Sequence, residues 1–277
     1  MKNEKFSIVT CSYQQGRFLE ATIRSVLDQN YDNLEYIVLD GGSTDESVDI
    51  LRRYDDAISY WHSEKDAGQT DALASGIDRA TGELMGWLCS DDLLLPGALQ
   101  AVADFFDANP DVQAVYGDAL WIGAHGEFLR PKKEIEFNRF IFHYDHNYIP
   151  QPSMFWRRQL YNKVGGLNRR FNLAMDADLW DRFAQVTDIA HLPQYLSCMR
   201  YYPEQKTRSM RSEGAREDEE IRARSSLAKY RPIQPWLHRL ARLQRRVSRL
   251  AKGAYFERVS PKLISDLGRY RISGEQR

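Results

Sequence analysis

The residues in this sequence best placed to do chemistry are carboxylates at the ends of apolar runs. "LMGWLCSDDLLLPGAL" runs apolar from Leu84, stops on the adjacent pair Asp91 and Asp92, and turns apolar again. Two unit charges about 4 Å apart repel by roughly 4 kcal/mol at an effective dielectric near 20. A divalent cation reverses that sign. Hard cations such as Mg²⁺ or Mn²⁺ take oxygen ligands and commonly share them with a substrate's phosphates, so one or two aspartates suffice. The competing reading is structural, with the pair starting a loop and capping the helix near Pro96. A third carboxylate, Asp40, closes the apolar run Leu34 to Leu39 just before Gly41 and Gly42. Neither a P-loop lysine motif nor GxGxxG follows the first strand, so the usual nucleotide fingerprints are absent.

These groups need a scaffold that brings strand ends together. Up to about Ala119 apolar runs alternate with amphipathic helices, the rhythm of βα units around a mainly parallel sheet. "FSIVTCS" reads as the first strand. In "GRFLEATIRSVLDQ", Phe18, Leu19, Ile23, Val26 and Leu27 share one helical face. Further strands are expected in "LEYIVLD", "AISYWHSE", "ELMGWLCS" and "VQAVYGDAL", and helices in "TDALASGIDRAT" and "PGALQAVADFFDAN". Ser43 and Glu46 have capping-box spacing ahead of another helix. In sheets of this kind, ligands collect beyond the C-terminal strand ends, where Asp40, Asp91 and Asp92 fall. From Trp121 to about Tyr202 the elements are shorter and mixed: a strand at "PSMFWRR", then helices at "QLYNKVGG" and "DADLWDRFAQV".

The whole chain is balanced, with 38 Lys and Arg against 39 Asp and Glu among 277 residues, so no global field draws it to nucleic acid. Three cysteines, Cys11, Cys89 and Cys198, lie far apart in apolar surroundings, which suits reduced thiols in a cytoplasm. No zinc spacing occurs. The N-terminal segment lacks a signal peptide's apolar core, and no run is long enough to span a bilayer. The expectation is a cytoplasmic protein. Its last stretch, 206–277, is charged and then basic. In "QPWLHRLARLQRRVSRLAKGAYF" Trp236, Leu237, Leu240, Leu243, Val247 and Leu250 recur every three or four residues, with Arg or Lys between them and no acid. Such a helix, within 234–256, suits the inner face of an anionic membrane, the catalytic domain, or another chain.

Three segments taken together resemble the family-two glycosyltransferases, nucleotide-sugar enzymes of the GT-A fold: "SIVTCSYQQGRFLEATIRSVLDQNYDNLEYIVLDGGSTDES", "SEKDAGQTDALASGIDRATGELMGWLCSDD" and "QPSMFWRR". The resemblance spans roughly the first 200 residues. It implies a GT-A catalytic domain over 1–205, a Rossmann-like α/β unit whose 1–119 half binds the nucleotide sugar and whose 120–205 half meets the acceptor, with a helical C-terminal extension. It places Thr10, Ser12 and Tyr13 at the nucleotide and Asp40 on the base. Lys65, Asp66, Gly68, Gln69 and Asp71 face the donor. Ser90, Asp91 and Asp92 match the DXD-like motif, with Asp91 toward ribose or sugar and Asp92 on Mn²⁺ or Mg²⁺. It assigns Asp176 as the base that takes the acceptor's proton, with Asp178 as the alternative, and sets Gln151 and Trp156 at the acceptor. The implied reaction is an inverting transfer from a UDP-, dTDP- or GDP-sugar to a saccharide or lipid-linked hydroxyl, in polysaccharide, lipopolysaccharide or glycolipid assembly.

The chain departs from that pattern at Ala74, Ser75, Cys89 and Met175, and at Tyr202, where the family often has histidine. Arg200, Lys206 and Arg208 are candidate phosphate ligands in its place, and His143 and His146, beside Asp145, invite a weaker metal reading. Two other functions fit the same residues: nucleotidyl transfer to a sugar phosphate, for which "CSYQQGRF" is a poor triphosphate loop, and a non-catalytic nucleotide-sugar scaffold.

Overall fold

The computed structural model describes residues 4–225, 227–228 and 233–272. The remainder, in the expected N-terminal and C-terminal segments, lies outside the description. Apolar alternation builds the first half as expected. Strands β1 (Phe6–Ser12), β2 (Leu34–Asp40), β3 (Tyr60–Ser63) and β4 (Leu84–Cys89) lie parallel in the order β3-β2-β1-β4. Side chains alternate across a strand. Ile8, Tyr36, Val38, Leu84 and Leu88 therefore pack on one face, under α1 (Gly16–Leu27), α2 (Ser47–Arg53) and α4 (Ala98–Ala108). Val9, Cys11, Ile37, Leu39, Met85 and Trp87 pack on the other, under α3 (Gln69–Arg79) and α7 (Met175–Phe183).

The second half extends the same sheet with mixed direction. Strand β8 (Met154–Arg157) runs antiparallel to both β4 and β6 (Ala114–Ile122). Next to β6 lies β9 (Ala190–Arg200), parallel to it, and β9 in turn pairs with the two-residue β5 (Leu93–Leu94). Strand β7 (Phe128–Lys132) hairpins onto β6, completing a nine-stranded sheet. Three of these, β5, β7 and β9, went unread in the sequence. β9 carries Pro193, and its register against β6 shifts at Asp118, so no alternation marks it.

After β6 come α5 (Arg139–Tyr144), α6 (Arg158–Lys163) and α7; after β9 come α8 (Lys206–Ser209), α9 (Arg211–Arg224), α10 (Gln234–Ala251) and α11 (Pro261–Asp266). The expected Ser43–Glu46 capping box does not form. Helix α2 begins at Ser47, and Asp45 takes its N–H at 3.0 Å while also accepting the Gly16 N–H at 2.9 Å. Ser43 instead turns back onto Asp40. One carboxylate thus ties the starts of α1 and α2 together at the mouth of the sheet.

Helix α3 approaches β1 closely at Gly76, where a Cβ would sit 2.5 Å from Val9 Cγ1 and 3.1 Å from Leu39 Cδ1. Val9 is fully buried and its methyl has nowhere to swing. Gly76→Ala is therefore expected to destabilise the fold by roughly 1–3 kcal/mol, overpacking outweighing alanine's better helix propensity. Urea unfolding would show it as a lower midpoint.

Candidate active site

The site lies where β1, β2 and β4 end, and each strand delivers polar groups there. β4 runs into Cys89, Ser90, Asp91 and Asp92, whose loop is fixed from below. The Thr22 hydroxyl donates to the carbonyls of Ser90 and Asp92, both at 2.8 Å. The Asp92 carboxylate accepts the backbone N–H of Arg200 at 2.8 Å, and the Asp91 carboxylate accepts the Tyr202 hydroxyl at 2.8 Å. Each aspartate keeps its other oxygen for a further partner. Ligand atoms of Cys89, Asp91 and Asp92 lie within 4.8 Å of one another. Burial raises the pKa of both aspartates, and for Asp92 the Asp91 charge adds to it, while Arg200 opposes the rise.

Arg200 is not the phosphate ligand expected. It is fully buried and gives its guanidinium to the carbonyls of Asp91 (2.7 Å), Ala124 (2.9 Å) and Gly123 (3.1 Å), clamping the DXD-like loop to the β6–β7 turn. Arg208 stacks over Tyr201 at 4.6 Å. Lys206 does reach the site: its ammonium bridges Gln69 Oε1 at 3.2 Å and Asn172 Oδ1 at 2.9 Å. Gln69 in turn points its amide at Cys89, which faces Gln151 Oε1 at 3.5 Å. Gln151 is anchored on the Trp87 carbonyl at 2.9 Å. Gln69, Cys89, Gln151 and Lys206 thus form one connected polar chain.

 

Of the residues expected around the donor, Tyr13 stands 63% exposed at the end of β1 with its ring open, and Ser12 Oγ is buried with no hydrogen-bond partner. Of the two, only the Tyr13 ring is open to a ligand. Thr10 is not: it is fully buried and accepts the Tyr36 hydroxyl at 3.0 Å. Asp40 is also turned inward. Its carboxylate takes the Ser43 N–H at 2.8 Å and the Ser43 and Ser63 hydroxyls, each at 2.6 Å, so it shapes the turn beneath the mouth. Asp66 accepts the Gly68 N–H at 2.8 Å, and its other oxygen crowds Gly41, where a Cβ would come within 2.9 Å. Lys65 is exposed beside it, with its backbone against Gly42. Asp71 is paired with Arg169.

Asp176 opens α7 on the other side of the cleft. Its carboxylate accepts the Asn147 amide at 2.8 Å, and burial, seconded by the Asp218 charge, lifts its pKa to about 6. Asp178, the alternative, is spent on Arg182 at 2.7 Å. Trp156 corrects the sequence reading outright. It is fully buried, edge-on to Trp87 at 5.4 Å and tilted against Trp180 at 5.5 Å, and presents no face to a sugar. His143 is buried and pushed down to about 4 by desolvation and nearby arginines, whereas His146 pairs with Asp145 at 3.1 Å. Among the described residues, neither joins a metal-ligand cluster.

Sequence reasoning missed Asn147 and Glu217. Glu217, on α9, accepts the backbone N–H groups of Asn172, Leu173 and Ala174, each at 2.8 Å, fixing the bend that leads into α7. It lies in a run of charges that reads as a solvated face, and nothing local distinguishes it from its neighbours.

The model of glycosyl transferase family 2 matches residues 7–165, which include β1 to β4 and the DXD-like loop. The chain belongs to glycosyl transferase family 2. A Mycobacterium tuberculosis protein named uncharacterized glycosyltransferase Rv1514c is 30% identical over 186 residues, covering 66% of this chain and 70% of that one. A PGL/p-HBAD biosynthesis glycosyltransferase of Mycobacterium bovis is 29% identical over 180 residues, covering 64% and 67%. Among solved structures, Staphylococcus aureus TarS in complex with UDP-GlcNAc superposes with a TM-score of 0.63 at 17% identity, over 96% of this chain and 80% of that one. Mannosyltransferase PcManGT of Pyrobaculum calidifontis, in complex with GDP-Man and Mn²⁺, gives 0.61 at 18% identity, over 96% and 79%. These two share the GT-A fold with this glycosyltransferase.

Tyr202, standing where the family often has histidine, is 3% exposed and packs on Phe18 with ring centroids 4.9 Å apart. Its hydroxyl supplies a hydrogen bond to a carboxylate, worth roughly 1.5–3 kcal/mol. Tyr202→Phe is expected to lower the unfolding free energy from urea titration by that amount at pH 7 while leaving the far-ultraviolet spectrum unchanged.

Proposed function

We propose that this glycosyltransferase is metal-dependent and inverting, moving a sugar from a nucleoside-diphosphate donor to the hydroxyl of a saccharide or lipid-linked acceptor in the cytoplasm. The observation that carries this reading is Asp176: a carboxylate at the head of a helix, held by Asn147, with its pKa raised to about 6. A general base works best with a pKa near the operating pH. At neutral pH Asp176 is mostly ionised yet more basic than an ordinary aspartate. In this reading, residues 1–119 hold the donor and residues 120–205 present the acceptor.

The donor's diphosphate falls to the DXD-like loop. Asp91 and Asp92, both raised in pKa and each with one oxygen uncommitted, fit a hard divalent cation, and the oxygen donors suit Mn²⁺ or Mg²⁺. Asp92, with Asp91, would hold it, and the bound ion would neutralise charge developing on the leaving diphosphate. Tyr13 offers an open ring on which a base can stack. Lys206 adds a cation beside Gln69. The donors of the related structures, UDP-GlcNAc and GDP-Man, support a nucleoside-diphosphate sugar, with UDP, dTDP and GDP as the candidates.

Asp176 takes the proton from the acceptor hydroxyl as its oxygen attacks the anomeric carbon. The bond to the diphosphate breaks on the opposite face. One such displacement inverts the anomeric configuration. The mycobacterial relative named for PGL/p-HBAD biosynthesis favours a glycolipid acceptor over a sugar phosphate.

Turnover should fall about tenfold per pH unit below about 6, as Asp176 is protonated, and level off above it. Asp176→Asn should abolish turnover while retaining Mn²⁺-dependent stabilisation by the nucleotide sugar in a thermal-shift assay. The raised pKa also carries a stability signature. The folded state binds this proton more tightly than the unfolded chain, so stability falls as pH rises from about 4 to 6 and stays lower above. Asp176→Asn is accordingly expected to melt higher than the wild type at pH 7.5. A lower melting point together with normal turnover would remove Asp176 from the mechanism.

A further inference from the structure

Helix α10 is docked with its polar side inward. Ala241 is its one buried residue, and around it the inner face makes polar contacts to the domain. His238 meets the Tyr144 carbonyl of α5, Arg245 reaches both oxygens of Glu134 at 3.0 Å, and Lys252 pairs with Glu136. The apolar side faces out. Trp236 is 72% exposed, and Leu240, Leu243, Val247 and Leu250 lie between 54% and 59%. Their spacing of four, three, four and three residues puts them in one stripe along the helix. Just beyond its end, Tyr255 and Phe256 are exposed as well.

Cations border this stripe. Arg239, Arg242 and Arg246 are exposed along one flank, Arg242 with its Nε 3.6 Å from Asp145, and no Asp or Glu occurs from 234 to 256. This composition selects the occupant. A second copy meeting the stripe through its own α10 would set two rows of arginine together with no acid from either helix between them. An anionic lipid surface meets both features at once: acyl chains take the apolar stripe, headgroup phosphates take the arginines, and the Trp236 indole suits the boundary. No helix among the described residues is long and apolar enough to cross a membrane, so the contact is one of lying on the surface.

We propose that α10 binds the protein to an anionic membrane surface through Trp236, Leu240, Leu243, Val247 and Leu250, with Arg239, Arg242 and Arg246 on the headgroups. The helix rests on α5, and the chain leaves α5 through Asp145 and His146 to Asn147, which is bonded to Asp176. Residues 139–147 therefore join the membrane helix to the proposed base. The membrane contact itself stands apart from the sugar chemistry and is tested without it.

The full chain would be sedimented with sucrose-loaded vesicles of phosphatidylcholine alone and of phosphatidylcholine mixed with phosphatidylglycerol, at low and high salt. Two variants accompany it: a triple Leu240→Ser, Leu243→Ser, Val247→Ser, and a double Arg239→Gln, Arg246→Gln. The changed side chains are exposed, and a melting curve checks that each variant is folded. Binding to the phosphatidylglycerol vesicles is expected, weaker by about tenfold or more in either variant, on phosphatidylcholine alone, or at high salt. Binding unaffected by the triple variant, or indifferent to phosphatidylglycerol, would overturn the proposal. So would a dimer in sedimentation velocity that the triple variant dissociates while the wild type ignores vesicles.

Discussion

The stacking of Trp87 on Trp180 is the contact around which the site is organised. Trp87 lies on β4 two residues before Cys89, and Trp180 lies on α7 four residues after Asp176. Their rings stack 5.2 Å apart and 15° from parallel, with Trp156 and Phe183 closing the cluster. The carboxylates at the two ends, Asp91 and Asp92 on one side and Asp176 on the other, carry like charge and cannot hold each other in place. Packing behind them does so instead. Large rigid rings bury much apolar area with few torsions, so they fix the spacing of two charged groups at little cost in disorder.

The groups that touch these carboxylates are mostly neutral. Asp91 has a phenol, Asp92 a backbone N–H, and Asp176 a carboxamide. The one deeply buried guanidinium nearby, Arg200, is turned onto carbonyls. Hydrogen bonds of this kind position an acid without discharging it, and desolvation then lifts its pKa. The electrostatic demand stays in the site for a cation or a proton to satisfy. Where a salt bridge is made, as for Asp178 with Arg182 or Asp71 with Arg169, the acid is withdrawn from that use.

The parallel half of the sheet was legible because β1, β2 and β4 are long apolar runs buried on both faces. Ile8 and Val9 already point to opposite cores in the sequence pattern. β9 was hidden by its proline and its irregular register, and β5 by having only two residues. The DXD-like pair and Asp176 stand out as candidates from neighbouring motif residues, but what surrounds them does not. Trp156 and Thr10 look like binding residues in one dimension and prove to be core, because chain position does not reveal which face of β8 or β1 a side chain occupies. Glu217 and Asn147 come from segments distant in sequence, so their bonds exist only once the chain has folded.

Glu217 also bears on how such a protein can be taken apart. Composition changes sharply near residue 205, as if a module ended there, yet a carboxylate from beyond that point receives the N–H groups of the bend that leads into the helix carrying Asp176. The seam visible in the letters is not a seam in the molecule. A tail exchanged with a relative at this boundary would bring a new foundation for the helix that carries Asp176. A joint placed later, between α9 and α10, leaves Glu217 with its helix, but the exchanged segment must still bring partners for Glu134, Glu136 and Asp28.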